Sequence, residues 1–187
     1  MVMLKYLVFS IMTLVSFVCS AQTKAVKSFE AEFNFGITMP LDEYHGGEKM
    51  LGPSIALNFR HNFKDTPWDC GILLQVDGAV RDFWHDKNSD NWQSNRTMVL
   101  AANGGYNFRQ GHKVNPFVNV ALGVGFNDVL GDEFIDTNAT SPVIIPKIGV
   151  ELWHMLRVNL HVMITRKGFN TYGLTLGLVL GGRPKKN

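Results

Sequence analysis

The sequence predicts an all-β fold: an eight-stranded antiparallel up-and-down transmembrane β-barrel after a cleaved signal peptide. Three observations predict it. Apolar and polar residues alternate with a period of two in eight separate stretches, the signature of strands with two unlike faces. One face of each stretch is apolar and uncharged, while the other mixes small residues with charges of both signs. The links between stretches alternate between long and short.

Residues 1–21 read as the signal and 22–187 as the barrel domain. Lys5 gives a positive start, Tyr6 to Val18 an apolar run, and Ser20 and Ala21 a small-residue cleavage point before Gln22. The run is too short to span a bilayer comfortably as a helix. Cys19 follows Val18, a poor context for lipid modification. Only Cys70 then remains, so the fold must hold without an internal disulfide. Lys5 is the only charge in 1–21, so its loss takes the net charge from +2 to +1. That balance gives no support to nucleic-acid binding.

The strands follow in order. Strand one, 28–39, sets Phe29, Phe33, Phe35 and Ile37 against Glu30, Glu32 and Asn34. Strand two, 51–63, sets Ile55, Leu57 and Phe59 against Ser54, Asn58 and Arg60. Strand three, 68–81, sets Trp68, Cys70, Ile72, Leu74 and Val76 against Asp69, Gln75 and Asp77. Strand four, 96–108, sets Met98, Leu100, Tyr106 and Phe108 against Thr97, Asn103 and Asn107. Strand five, 115–127, sets Val118, Val120, Leu122, Val124 and Phe126 against Asn119, Gly123 and Gly125. Strand six, 143–152, sets Ile144, Ile148 and Val150 against Lys147, Gly149 and Glu151. Strand seven, 156–166, sets Leu156, Val158, Leu160 and Val162 against Arg157, Asn159 and His161. Strand eight, 171–181, sets Tyr172, Leu174, Leu176 and Leu178 against Gly173, Thr175 and Gly177.

A soluble exported barrel of lipocalin type, with its apolar faces inward around a ligand, also alternates. Lipid is favoured because the apolar faces are long enough for a tilted crossing. The charged faces suit a narrow lumen in which ions pair. Pro40–Met50, Asp82–Asn95 and Asp128–Ser141 are the long links; Lys64–Pro67, Gln110–Lys113 and Trp153–Met155 are tight turns. This is the asymmetry of extracellular loops and periplasmic turns.

At this point the chain resembles the outer-membrane β-barrel domain family of Gram-negative bacteria, the eight-stranded OmpA-like, OmpX-like and PorT-like group. The residues that carry the resemblance are Asn115-Pro-Phe-Val-Asn-Val-Ala-Leu-Gly-Val-Gly125 and Ile148-Gly-Val-Glu-Leu152 before a tight turn. It implies a place in the outer membrane. It is architectural and carries little functional detail. One departure is that Gly181–Asn187 stands where the family often ends on a terminal aromatic. No wall-anchoring domain is implied.

Candidate functional residues fall into two groups. Glu30, Glu32, Arg60, Asp69, Lys147, Glu151, Arg157 and His161 are expected to form a charge network that fills the lumen, with Lys147, Glu151, Arg157 and His161 near the turn side. Structural filling outweighs acid–base catalysis here, because buried ions are usually paired. Tyr44, Trp84, Trp92 and Phe134 lie in or beside the long loops and are candidate contacts for a protein partner. A lipid-modifying enzyme of the lipid A deacylase type needs His-x-Ser, and none of the six histidines has serine two residues later. Asp86, Asn88 and Asp90 begin a calcium-loop pattern, but Asn91 stands where glycine belongs and Thr97 where glutamate does. The expectation is no catalytic residue, no cofactor and no metal. The partners expected are outer-membrane lipid and, at the extracellular loops, a protein; nucleic acid is not expected.

Overall fold

The computed structural model describes residues 26–41, 48–82, 92–131 and 139–181. The expected signal segment, the calcium-like residues Asp86, Asn88 and Asp90, and the tail after Gly181 lie outside the described residues.

The strands are β1 Phe29–Pro40, β2 Glu48–Met50, β3 Gly52–Asn62, β4 Trp68–Asp82, β5 Trp92–Asn107, β6 Val114–Gly131, β7 Ala139–Leu152, β8 Leu156–Met163 and β9 Thr171–Leu180. Each wall strand pairs antiparallel with its neighbours in the ring β1–β3–β4–β5–β6–β7–β8–β9. The ring closes through β1 and β9, where Phe33 faces Leu178 and Ile37 faces Leu174. Closure is what lets strands cross lipid, which offers no partner to an open sheet edge.

The short β2 is no ninth wall strand. It continues β3 along the same edge of β4. Met50 faces Val80 and Ser54 faces Asp77, so one extra residue bulges out between them. Pro53, which has no N–H to give, sits at that bulge. A side chain at Gly52 would overlap the Gly78 carbonyl.

The two faces of the sheet decide the solvent question. Leu57 and Leu176 are 40% and 48% exposed on the outer wall. Glu32, Arg60 and Glu151 are 4%, 2% and 3% exposed in the lumen. A lipocalin-like barrel would reverse both, so that alternative is overturned. The wall is an apolar surface built for hydrocarbon, and the barrel is of the outer-membrane type.

Four strand boundaries differ from expectation by three residues or more. β5 begins at Trp92 instead of Arg96, and β6 and β7 run on to Gly131 and back to Ala139. Alternation stops signalling where both faces are polar, but backbone pairing continues, as between Gln93 and Gly131. Trp92 is therefore the first residue of β5, opposite Asp82. β8 ends at Met163, short of Arg166. The link after it folds inward: Phe169 is buried, Asn95 Nδ2 donates to the Gly168 carbonyl at 2.8 Å, and Leu41 N donates to Asn170 O at 2.8 Å.

The turn between β7 and β8 is Trp153–Met155, with Trp153 and His154 at φ of 53° and 58°. Two successive left-handed residues make a turn whose twist matches that of the strands, a place where Asn-Gly is preferred. Met155 N donates to Leu152 O at 3.1 Å and closes it. Bulky side chains in this conformation cost about 1–2 kcal/mol each. Trp153 stays exposed on the turn side, where a membrane interface takes tryptophan well.

Candidate functional site

The lumen is the most elaborate part of the molecule, and it divides into three zones. The first lies toward the turns. Glu30 and Glu32 project inward from β1, Arg60 from β3, Asp69 from β4, Glu151 from β7 and Arg157 from β8, all buried. Arg60 Nη2 lies 2.7 Å from Glu30 Oε2 and 3.2 Å from Glu32 Oε2, and its Nη1 is 3.8 Å from Asp69 Oδ2. Arg157 Nη2 lies 2.6 Å from Glu151 Oε2, and its Nη1 reaches Glu32 Oε2 at 3.4 Å. The Arg157 guanidinium also stacks over Phe117, 4.3 Å from the ring centroid.

Four carboxylates thus face two guanidiniums. Neutral amides supply further donors. Asn62 Nδ2 donates to Glu30 Oε1 at 2.7 Å, Asn107 Nδ2 to Asp69 Oδ2 at 2.7 Å, and Asn159 Nδ2 to Glu32 Oε1 at 3.3 Å. Room for this crowd comes from glycine. A Cβ at Gly177 would overlap Asn34 Oδ1 and crowd Glu32 Oε1, and one at Gly105 would strike Asp69.

The second zone is centred on Asp77 and lies toward the loops. Asp77 Oδ1 accepts from Ser54 Oγ at 2.7 Å and Gln75 Nε2 at 3.0 Å; its Oδ2 accepts from Thr171 Oγ1 at 2.9 Å and lies 3.0 Å from His161 Nε2. Lys147 Nζ donates to Gln75 Oε1 at 2.8 Å. Lys147 and His161 therefore stand apart from the turn-side cluster in which they were expected. They sit opposite each other on β7 and β8, and their contacts run across the lumen to β4. Spacing along one strand does not reveal which inward residues of distant strands meet. Ser54, Gln75 and Thr171 carry no formal charge, so nothing in the pattern marked them as partners.

This second zone has the residue types of acid–base chemistry without the arrangement. His161 Nε2 is also 3.1 Å from Gln75 Nε2, so a proton on that ring nitrogen serves Asp77. Ser54 donates to the carboxylate and not to the imidazole. A histidine activates a serine only when the two are bonded directly. Among the described residues, no group of three or more His, Cys, Asp and Glu could hold a metal ion.

The third zone is apolar. Leu73, Val99, Ile145 and Met163 are wholly buried and pack with Ala56, Ala101, Ala121 and Val143. These inward apolar residues break the simple alternation of strands three, four, six and seven. They fill space that charges cannot, as an eight-stranded lumen requires.

Of the candidate loop contacts, Tyr44, Trp84 and Phe134 lie outside the described residues, and Trp92 is described only by its backbone. The turn-side rim of the wall shows better-defined aromatics. His61 packs edge-on between Phe29 and Phe63, and Tyr106 between Trp68 and Phe108. His61 was not expected there; its position on the outward face of β3 was the available signal.

No protein-family model matches the chain, and no curated protein sequence matches it. Solved structures do. The outer membrane protein Ail of Yersinia pestis, as a backbone structure in a phospholipid bilayer nanodisc, is 13% identical with a TM-score of 0.50. That match covers 81% of this chain and 99% of the other. Ail in complex with the heparin analogue sucrose octasulfate is 12% identical with a TM-score of 0.47, covering 83% of this chain and 99% of that one. At such identity the nanodisc structure supports the fold alone, a closed antiparallel barrel of the outer-membrane type.

Proposed function

We propose that this chain is a non-enzymatic outer-membrane barrel that stabilises the envelope and presents its extracellular loops to a protein partner. One observation carries the reading: the lumen is filled by ion pairs, amides and an apolar cluster, and in its His161–Asp77 contact the neighbouring Ser54 donates to the carboxylate and not to the imidazole. Charges buried this way stabilise only as a set and leave little freedom for chemistry. What remains for interaction is the loop end. Tyr44, Trp84, Trp92 and Phe134 supply the aromatic anchors that interfaces favour. Residues 1–21 serve as the export signal in this reading.

The test is expression of the full chain in a Gram-negative host, followed by membrane fractionation, heat-modifiable gel migration and mass spectrometry of lipid A. The expected result is a heat-modifiable band in the outer membrane and an unchanged lipid A profile. A new lipid A species that vanishes in His161→Ala would overturn the non-enzymatic reading. A freely soluble mature protein would overturn the whole.

A further inference from the structure

The two ends of the barrel carry different surface charge. At the loop end the described side chains are of both signs: Glu48, Lys49, Arg166 and Lys167, with Arg96 of β5 and Asp128 of β6 paired on the outward face, Nη2 2.7 Å from Oδ2. At the turn end Lys27, Lys64, Arg109 and Lys113 are all exposed. Asp65 is the one exposed acid there among the described residues, and its Oδ2 lies 4.0 Å from Lys64 Nζ, a loose pair in water. The acids of the turn-side lumen, Glu30, Glu32, Asp69 and Glu151, are buried and already face Arg60 and Arg157. What the turn end shows to its surroundings is therefore a positive collar, four cations against one anion.

The collar is tied to the aromatic rim of the wall. Lys27 lies two residues before Phe29, Lys64 follows Phe63, and Arg109 follows Phe108. The Lys113 carbonyl accepts from Trp153 N at 2.6 Å. Phe29, Phe63 and Trp153 are exposed on the wall, and such aromatics settle at headgroup level. One or two residues beyond them along a strand is about 3–7 Å, and long cationic side chains reach from there to the phosphate layer. The turns of such a barrel face the periplasm, so the phosphates at this level belong to the phospholipids of the periplasmic leaflet. Charge then selects among heads. A phosphate attracts lysine and arginine, whereas an ammonium on the same head would stand beside a collar that has only Asp65 to receive it. A head with a phosphate and no ammonium gains without that cost.

We propose that the turn-end collar of Lys27, Lys64, Arg109 and Lys113 holds anionic phospholipid of the periplasmic leaflet, of the phosphatidylglycerol type, around the foot of the barrel. The phosphates sit at the cationic side chains, and the acyl chains run up the wall past the aromatic rim. An acidic cell-wall polymer beneath the membrane would meet the same charges, but it would give the aromatics beside each cation no part. The proposal rests on the reading above that the wall faces lipid.

The test uses the full chain refolded into micelles doped with equal amounts of phosphatidylglycerol and phosphatidylethanolamine, with native mass spectrometry of the lipids retained. Heat-modifiable migration is recorded in parallel, as the readout of insertion. The wild type is expected to retain phosphatidylglycerol several-fold over phosphatidylethanolamine, and the preference to shrink at high salt, because exposed charges are screened. The combined variant Lys27→Gln, Lys64→Gln, Arg109→Gln, Lys113→Gln is expected to insert and to retain the two lipids equally. Arg166→Gln with Lys167→Gln at the loop end is expected to keep the wild-type preference. Correct insertion with lipids retained in proportion to supply would overturn the collar's role alone, as would a preference that survives in the combined variant. Sedimentation with purified cell-wall sacculi that the combined variant loses, with no lipid preference in the wild type, would assign the collar to the wall polymer instead. Failure of the wild type to insert at all would overturn the lipid-facing wall.

Discussion

The lumen holds itself together by two different means a short distance apart. Around Arg60 and Arg157, stability depends on completeness: every carboxylate has a guanidinium or an amide, and each partner is worth most while all are present. Around Ile145 and Met163, stability depends on volume, and each side chain acts through the space it fills. The ionic zone specifies which strands meet, because Glu32 on β1 must find Arg60 on β3 and Arg157 on β8. The apolar zone accepts any packing of the right size. The contrast teaches that a barrel this narrow can bury charge if the charges close a circuit, and that neutral packing serves where they cannot.

The largest effect should come from opening the circuit. Arg60→Met leaves Glu30, Glu32 and Asp69 without their shared cation, and removal of one partner from a buried pair costs about 3–5 kcal/mol. Denaturant unfolding in lipid vesicles, read by heat-modifiable migration, should show a loss near the middle of that range. A loss below about 1 kcal/mol would mean that the circuit is not a unit.

Next comes the apolar zone. Ile145→Ala empties a wholly buried site and should cost about 3 kcal/mol in the same assay, within the usual range for such truncations. The double variant sharpens the comparison. Independent zones predict losses that add within about 0.5 kcal/mol. Coupling beyond that would show that the two regions are one.

The smallest effect expected is from the glycine wall. Gly177→Ala places a methyl against Asn34 Oδ1 and Glu32 Oε1 and should cost about 1–2 kcal/mol, the low end for overpacking. Asn34→Ala in the same chain should restore part of the loss by clearing the space. A Gly177→Ala protein as stable as the wild type would mean that the ionic zone is looser than its distances imply.

Much of this was legible before any coordinates. Phe33, Phe35, Leu57 and Leu176 announce the outer wall because side chains of a strand alternate, and alternation is a local property of the chain. Glu32, Arg60, Glu151 and Arg157 announce a charged lumen for the same reason. Trp92 and the ladder from Gln93 to Gly131 were hidden because backbone pairing needs no apolar pattern. Leu73 and Ile145 were hidden in plain view as exceptions to the alternation, since a residue facing the lumen and one facing lipid can both be apolar.

The sequence by itself determined the number of wall strands, the face that most side chains take and the charged character of what lies within, because these follow from a two-residue period and from the cost of charge in hydrocarbon. Only the tertiary structure decided that Asp77 would gather Ser54, Thr171 and His161, that Lys147 would stand with them, and that Arg96 would meet Asp128 on the outside. Those meetings are set by register, strand tilt and closure, which place residues far apart in the chain within 3 Å of one another. No local pattern records them.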